Sequence, residues 1–347
     1  MADALSTLYA ALMVLSSMVS ICGNLLLLVV LLLNKELQSD TLGLTLSFSL
    51  SDLALGLSTI PIGAYNSLFQ PAGYSSKGAF CQGSGFIFLL LQTASLHSLT
   101  WATIYKFTEI CFALSFNSIW TAGRSRVVLV VVWLFCLVSA TMPLLGFGSY
   151  TYSESRFLCS PSFTLENRYF VLLWMGVGII VPILTMCSLY GYIIYVARKQ
   201  ARRGTFMCNE LHCFYVPASN YLRSSIVMVA TSVCLLVCWL PYISVCLYET
   251  VSGQQSPAVT AAVSVWLVLT SAALNPWITC MTQTRYRAAV RRSFRSFIQR
   301  CPCSGMFLKS CSQSSALHLH ATNRISTTTT STTATRPPSS PKTPTPP

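Results

Sequence analysis

Seven long apolar stretches, each almost free of charge, constrain this chain more than any other feature. No charged side chain falls between Asp3 and Lys35, Lys77 and Lys106, Arg126 and Glu154, or Arg168 and Arg198. The same holds between Arg223 and Glu249 and between Glu249 and Arg285. The remaining stretch, Thr41 to Pro61, holds one charge, Asp52. About 20 apolar residues in a helix cross the hydrocarbon core of a bilayer. A helix also satisfies its own backbone hydrogen bonds, which lipid requires. The expected fold is an all-α membrane protein, a bundle of seven transmembrane helices. Only 9% of the residues are charged, against about 25% in soluble domains, which excludes an ordinary soluble enzyme.

The net charge of +13 is one-sided. With seven spans, the loops after spans one, three and five share a side with the C-terminus. That side holds all but three of the 22 Lys and Arg residues, the exceptions being Lys77, Arg156 and Arg168. This positive-inside bias puts the N-terminus outside and the tail in the cytosol. The basic groups then face anionic lipid headgroups and cytosolic partners. No nucleic-acid motif accompanies them, so nucleic acid is not an expected partner. The first stretch is too long for a signal peptide and lacks a basic leader, so it reads as a retained helix. The expected organisation is a short outer segment over 1–7, the bundle over 8–283, an amphipathic surface helix over 284–300 and a cytosolic tail over 301–347.

Polar residues inside the spans carry the functional signal. Asn24 in span one needs a hydrogen-bond partner. Asp52 in span two is an intramembrane carboxylate, functional by default, with a protonated structural acid as the bland reading. Pro61 should kink the outer end of that span. Span three runs from Cys81 to Phe107 and sets Phe88, Gln92, Ser95 and Leu99 on one stripe at helical spacing. Ser95 lies at a depth that Asp52 can reach. Span five carries Pro182 and Tyr190, span six carries Trp239-Leu240-Pro241-Tyr242, and span seven carries Asn275-Pro276. Pro241 frees a backbone carbonyl and makes a hinge.

Most of the fifteen cysteines fall in spans or cytosolic segments, where thiols stay reduced. Only Cys81 and Cys159 sit clearly on the outer face, with Cys246 near a helix end. A Cys81–Cys159 bridge would tie the second outer loop to the top of span three. Cys208, His212 and Cys213 match no four-ligand zinc set, and His318 and His320 add none, so no metal site of that kind is expected. Past span seven, 284–297 alternates basic and apolar residues as a surface helix does. Cys301 and Cys303 follow as lipidation candidates. The Ser/Thr/Pro-rich tail cannot build a core and offers phosphorylation sites.

These residues resemble the rhodopsin-like (class A) G-protein-coupled receptors over about residues 8 to 300. The resemblance rests on Gly23-Asn24, Leu50-x-Asp52, Cys81, Trp133, Cys159, Pro182 with Tyr190, Cys238-Trp239-Leu240-Pro241 and Asn275-Pro276, one set per expected helix and in order. It implies a plasma-membrane receptor that switches between two packings as span six swings about its proline and opens the inner face to a heterotrimeric G protein. It implies arrestin and receptor kinases as partners of the tail. It implies a sodium-like polar pocket of Asn24, Asp52, Ser95, Ser271 and Asn275, with no other cofactor.

The departures from the family pattern concern coupling. The family's Asp-Arg-Tyr reads Tyr105-Lys106-Phe107 here, and lysine cannot reproduce the guanidinium fork. The acid many members place at the inner end of span six is Tyr221. The span-seven tyrosine that meets Tyr190 in the active state is Thr279. The inactive state loses a lock and the active state loses a contact, so the resemblance leaves raised basal activity and weak coupling both open.

The family's amine receptors use an aspartate where this chain has Phe88. With no other acid expected in the upper cavity, a cationic amine is not an expected ligand. Opsins use a lysine where this chain has Leu269, so covalently bound retinal is not expected either. The cavity residues are then Phe88, Gln92, Trp174, Trp239, Tyr242 and Val265, suited to a lipid, a neutral small molecule or no ligand. A transporter would show an internal repeat or several intramembrane charges, and neither is visible.

Overall fold

A computed structural model of the chain describes residues 2–38, 42–69, 78–112, 115–203, 206–209, 212–215, 218–282 and 284–300. Seven of its helices are long and apolar enough to cross a membrane. They are Ala4–Leu33, Leu42–Phe69, Ala79–Glu109, Ala122–Leu145, Arg168–Val196, Thr231–Ser252 and Ala258–Cys280, called spans one to seven below, with outer and inner ends named by the orientation expected from the sequence. The first helix already begins at Ala2, so most of the 1–7 segment read as a separate outer piece belongs to it. An eighth helix, Thr284–Arg300, follows the seventh span. The chain divides into a unit Met1–Val290 and a unit Arg291–Pro347. Of the second, only the continuation of the eighth helix is described.

Prolines break two of the spans, each in its own way. Span two is a helix Leu42–Leu57 and a helix Thr59–Phe69 with a turn at Ser58 between them. Pro61 has no N–H for the Leu57 carbonyl and its ring crowds that turn, which is why the break falls there. Span five starts as Arg168–Leu173, widens into a π-helix over Trp174–Ile180 and resumes as Val181–Arg203. Just before Pro182, the Val181 N–H reaches back five residues to the Gly176 carbonyl. The His97 side chain of span three hydrogen-bonds the Gly178 backbone in the same turn. Pro182 would have served that carbonyl in an unbroken α-helix.

Side-chain polar contacts stitch the spans together. The Trp133 indole donates to Ser47 Oγ at 3.0 Å, and Ser47 meets Ser98 at 2.8 Å, joining spans four, two and three. Trp266 donates to Ser16 at 3.2 Å, and Ser16 meets Thr270 at 3.2 Å, joining spans seven and one. At the inner end, Tyr286 and Ala289 pack on Leu27, Val30, Leu31 and Phe48. The main apolar core draws on all seven spans, most of all three, five, six and seven, and continues into the outer loop.

Two short hairpins depart from the all-helical expectation. Strands β1 (Tyr150–Ser153) and β2 (Leu158–Pro161) pair antiparallel in the second outer loop, with Tyr152 opposite Cys159. Strands β3 (Phe206–Asn209) and β4 (His212–Tyr215) pair in the inner loop between spans five and six. The Cys81–Cys159 disulfide fastens β2 to the start of span three, with a Cα–Cα distance of 5.4 Å. Tyr150 is buried against Gly85 of span three and its hydroxyl donates to the Ala140 carbonyl at 2.8 Å. The hairpin therefore sits inward on the bundle rather than out in solvent.

Candidate functional site

At mid-depth, Asp52 is 1% exposed and accepts two hydrogen bonds. Ser95 Oγ of span three donates to one carboxylate oxygen at 2.6 Å. Asn275 Nδ2 of span seven donates to the other at 2.7 Å. A carboxylate in an apolar bundle needs such partners, and these two bring spans two, three and seven to one point. Asn24 and Ser271 bond elsewhere. The Asn24 amide donates to the Ser20 and Ala272 carbonyls at 2.9 and 3.1 Å. Its Oδ1 is buried with no hydrogen-bond partner among the described residues. Ser271 donates to the Val268 carbonyl of its own helix at 2.6 Å. Beside this centre lies a cavity lined by Leu99, Met186, Tyr190, Thr231, Ser271 and Asn275, among others.

Above it, the six residues read from sequence as a ligand cavity are all buried. Phe88, Trp174, Trp239, Tyr242 and Val265 belong to one apolar cluster, together with Tyr150, Leu158 and Phe163 of the outer loop. The Trp174 indole donates to Thr93 at 3.2 Å. Gln92 Oε1 is buried with no partner among the described residues. The loop packs its aromatic side chains Tyr150 and Phe163 into this cluster.

The expectation of no further acid in the upper cavity does not hold. Glu249, at the outer end of span six, is buried and paired with Arg156 of the outer loop, at side-chain exposures of 7% and 6%. Arg156 sits 4.7 Å from the Phe163 ring centroid, and Phe163 meets Tyr242 edge-on at 6.4 Å. Burial works to lower the Arg156 pKa, while Cys246 and Glu249 beside it outweigh burial and hold it above the ordinary value. The linear sequence hid this acid because Glu249 falls at a span boundary, where a solvated charge is the ordinary reading.

At the inner end, Lys106 pairs with Glu109 of its own helix at 3.0 Å, with side chains 43% and 39% exposed. Tyr105, expected to face the cytosolic partner, is instead 4% exposed. It packs edge-on against Phe116 and Trp120 of the second inner loop, at 5.1 and 5.4 Å. An aromatic ring at this position finds apolar cover where a carboxylate would have sought water. Phe107 meets Tyr192 of span five at 5.6 Å. Tyr190 shares a hydrogen bond with Thr103 at 3.2 Å, and Thr279 donates to the Asn275 carbonyl at 2.9 Å. Tyr221 lies in the helix Ala218–Ser252, and its side chain is outside the described residues, as are Cys301 and Cys303.

Comparison with known proteins agrees with this geometry. The model of the "7 transmembrane receptor (rhodopsin family)" matches residues 23–278. The dog histamine H2 receptor is 26% identical over 281 residues, covering 80% of this chain and 77% of its own. The human histamine H2 receptor is 25% identical, covering 82% and 77%. Mouse G-protein coupled receptor 161 is 24% identical over 319 residues, covering 82% and 58%.

Proposed function

We propose, from the premise that this chain belongs to the rhodopsin family of seven-transmembrane receptors, that it signals to a heterotrimeric G protein without needing a diffusible ligand. Membership makes it a multi-pass membrane receptor of a G-protein-coupled family and not an enzyme. The proposal adds a plasma-membrane location with the N-terminus outside, supported by the one-sided Lys and Arg distribution. It adds an outward swing of the inner half of span six about Pro241, which lies inside the helix Ala218–Ser252.

One observation carries the ligand-independent reading. Lys106, which stands where the family has its arginine, uses its charge on Glu109 of the same helix. A half-exposed pair of this kind contributes at most about 1 kcal/mol, and it ties no second span to the third. Losing a cross-span lock worth about 1–3 kcal/mol shifts the resting population toward the open packing. The test is basal second-messenger output across G-protein classes, plotted against surface expression. A rising line is expected in one class, and a flat line at confirmed expression sinks the proposal.

A second reading, weak coupling, draws on the missing arginine at Lys106 and on Thr279. Its hydroxyl bonds within its own helix, and no tyrosine at that position is there to meet Tyr190. Lys106→Arg separates the two. It leaves the basal slope unchanged under the first reading and raises it under the second.

The polar centre fits a sodium ion by its donor set. Hard cations take oxygen ligands; Asp52 and Ser95 supply them, and Asn24 Oδ1, buried with no partner among the described residues, and Ser271 are the further oxygens proposed, with Asn275 bonded to Asp52. Sodium would supply positive charge between spans two and three and favour the closed packing. Receptor kinases and arrestin are proposed for the tail, and membrane lipids for Cys301, Cys303 and the eighth helix.

A further inference from the structure

Beside the outer apolar cluster lies a charged corner, the Arg156–Glu249 pair, and a side chain of the same molecule sits in it. The two oxygens of Glu249 are both engaged. Oε1 accepts from the Ser256 backbone N–H at 3.1 Å and Oε2 accepts from Arg156 Nη2. The guanidinium also lies over the face of Phe163 and meets the Cys246 side chain, so its site is a carboxylate and an aromatic ring with a thiol beside them. That pairing is how proteins recognise organic cations. Yet this cation comes from a loop rather than from a helix of the bundle. The turn that delivers it holds Phe157 at φ 56°, a conformation unusual for a non-glycine residue. Phe157 is held there by a ring contact with Tyr9 at 5.1 Å and by Asn66, which donates to its carbonyl at 2.9 Å. The fit of the guanidinium is incomplete. Its Nη1 reaches Ser153 Oγ only at 3.5 Å, and its Nε is buried with no hydrogen-bond partner among the described residues.

We propose that Glu249 is a cation subsite at the rim of the cavity, filled here by the receptor's own Arg156, and that a diffusible ligand competing for it carries a guanidinium or ammonium group. This deepens the reading above and rests on it. The loop is the resident occupant of the ligand cavity, which is why signalling needs no added ligand. A neutral molecule that displaced Arg156 would leave a buried, unpaired carboxylate, which is strongly disfavoured. A cation replaces the lost charge directly. Glu249 already lies on span six, and Phe163 links the subsite further to Tyr242, next to the Pro241 hinge. Occupancy by Arg156 or by a replacement can therefore be felt at the hinge.

The test uses full-length receptor and three small probes of similar size: ethylguanidinium, ethylammonium and neutral N-ethylurea. Arg156→Ala vacates the subsite while keeping Glu249. Its unfolding temperature should rise by several degrees with millimolar ethylguanidinium, less with ethylammonium and not with N-ethylurea, since a ligand that binds only the folded state stabilises it by mass action. The wild type should show no rise at those concentrations, because Arg156 is already in place. The double variant Arg156→Ala/Glu249→Gln should show none, because the carboxylate is gone. An equal rise in the double variant, an equal rise with N-ethylurea, or no rise in Arg156→Ala overturns the proposal. Should Arg156→Ala be too unstable to purify, its surface level in cells grown with and without ethylguanidinium gives the same reading, with rescue expected only while Glu249 is present. The unfolding temperature reports binding without reference to coupling. A receptor silent in the basal assay would sink the signalling proposal and leave this one standing.

Discussion

Tyr105 and Lys106 are adjacent in sequence and have opposite fates. One is buried among aromatic rings of the inner loop, and the other stays half-exposed beside Glu109. Restoring the family's aspartate with Tyr105→Asp therefore replaces a packed ring by a charge. A loss of about 3–5 kcal/mol is expected, as for truncating a core aromatic, seen as a lower unfolding temperature in purified receptor. Lys106→Arg changes an exposed pair, and its effect on stability should stay within about 0.5 kcal/mol. Asp52 lies at the other extreme. Asp52→Asn keeps the shape but removes the anion that Ser95 and Asn275 serve. Hydrogen bonds to a charged group contribute about 1.5–3 kcal/mol each. The variant's unfolding temperature should become independent of sodium concentration, while that of the wild type rises with it. Asp52 and Ser95 were legible in the sequence because helical depth alone puts them within reach of one another, whereas Asn275 joined them only through the family resemblance. The burial of Glu249 and Tyr105 was not, since it depends on which loop folds back over them.

At the scale of elements, apolar periodicity and charge-free length found the spans, because lipid leaves a helix as the only single-segment solution. What they could not give was the internal form of spans two and five. A proline announces a disturbance but not its kind. Pro61 produced a break at Ser58, and Pro182 follows a π-turn supported by His97 from another span. The β1–β2 hairpin was equally hidden. Its inward seat depends on Gly85, where an added Cβ would lie 2.7 Å from Tyr150 Cδ1 and 2.9 Å from Cγ. Tyr150 is held by its bond to the Ala140 carbonyl, so it cannot simply rotate away. Gly85→Ala should destabilise the receptor by about 1–3 kcal/mol through overpacking. The hairpin should also become more accessible, read as faster proteolysis between Tyr150 and Pro161.

Across the whole molecule, the outer hairpin binds distant parts of the bundle to one another. The disulfide ties it to span three, Asn66 ties it to span two and Glu249 ties it to span six. Cys159→Ser removes the covalent member and should lower stability by about 2–5 kcal/mol, measured as unfolding temperature and surface level together. Basal output per surface receptor should change as well, since Arg156 then approaches Glu249 from an untethered loop. The wide turn at Trp174–Ile180 bears on the length of the chain itself. A π-turn holds one residue more than an α-turn of the same rise. Gly176 and Val177 lie there, and nothing stands within 4 Å of where a Gly176 Cβ would be. A chain one residue shorter at this point would keep Trp174 and Tyr190 in phase with their neighbours. The same deletion elsewhere in span five would rotate every later side chain by about 100°. Among relatives of differing length, this turn is where a single residue can be gained or lost without re-aiming the rest of the helix.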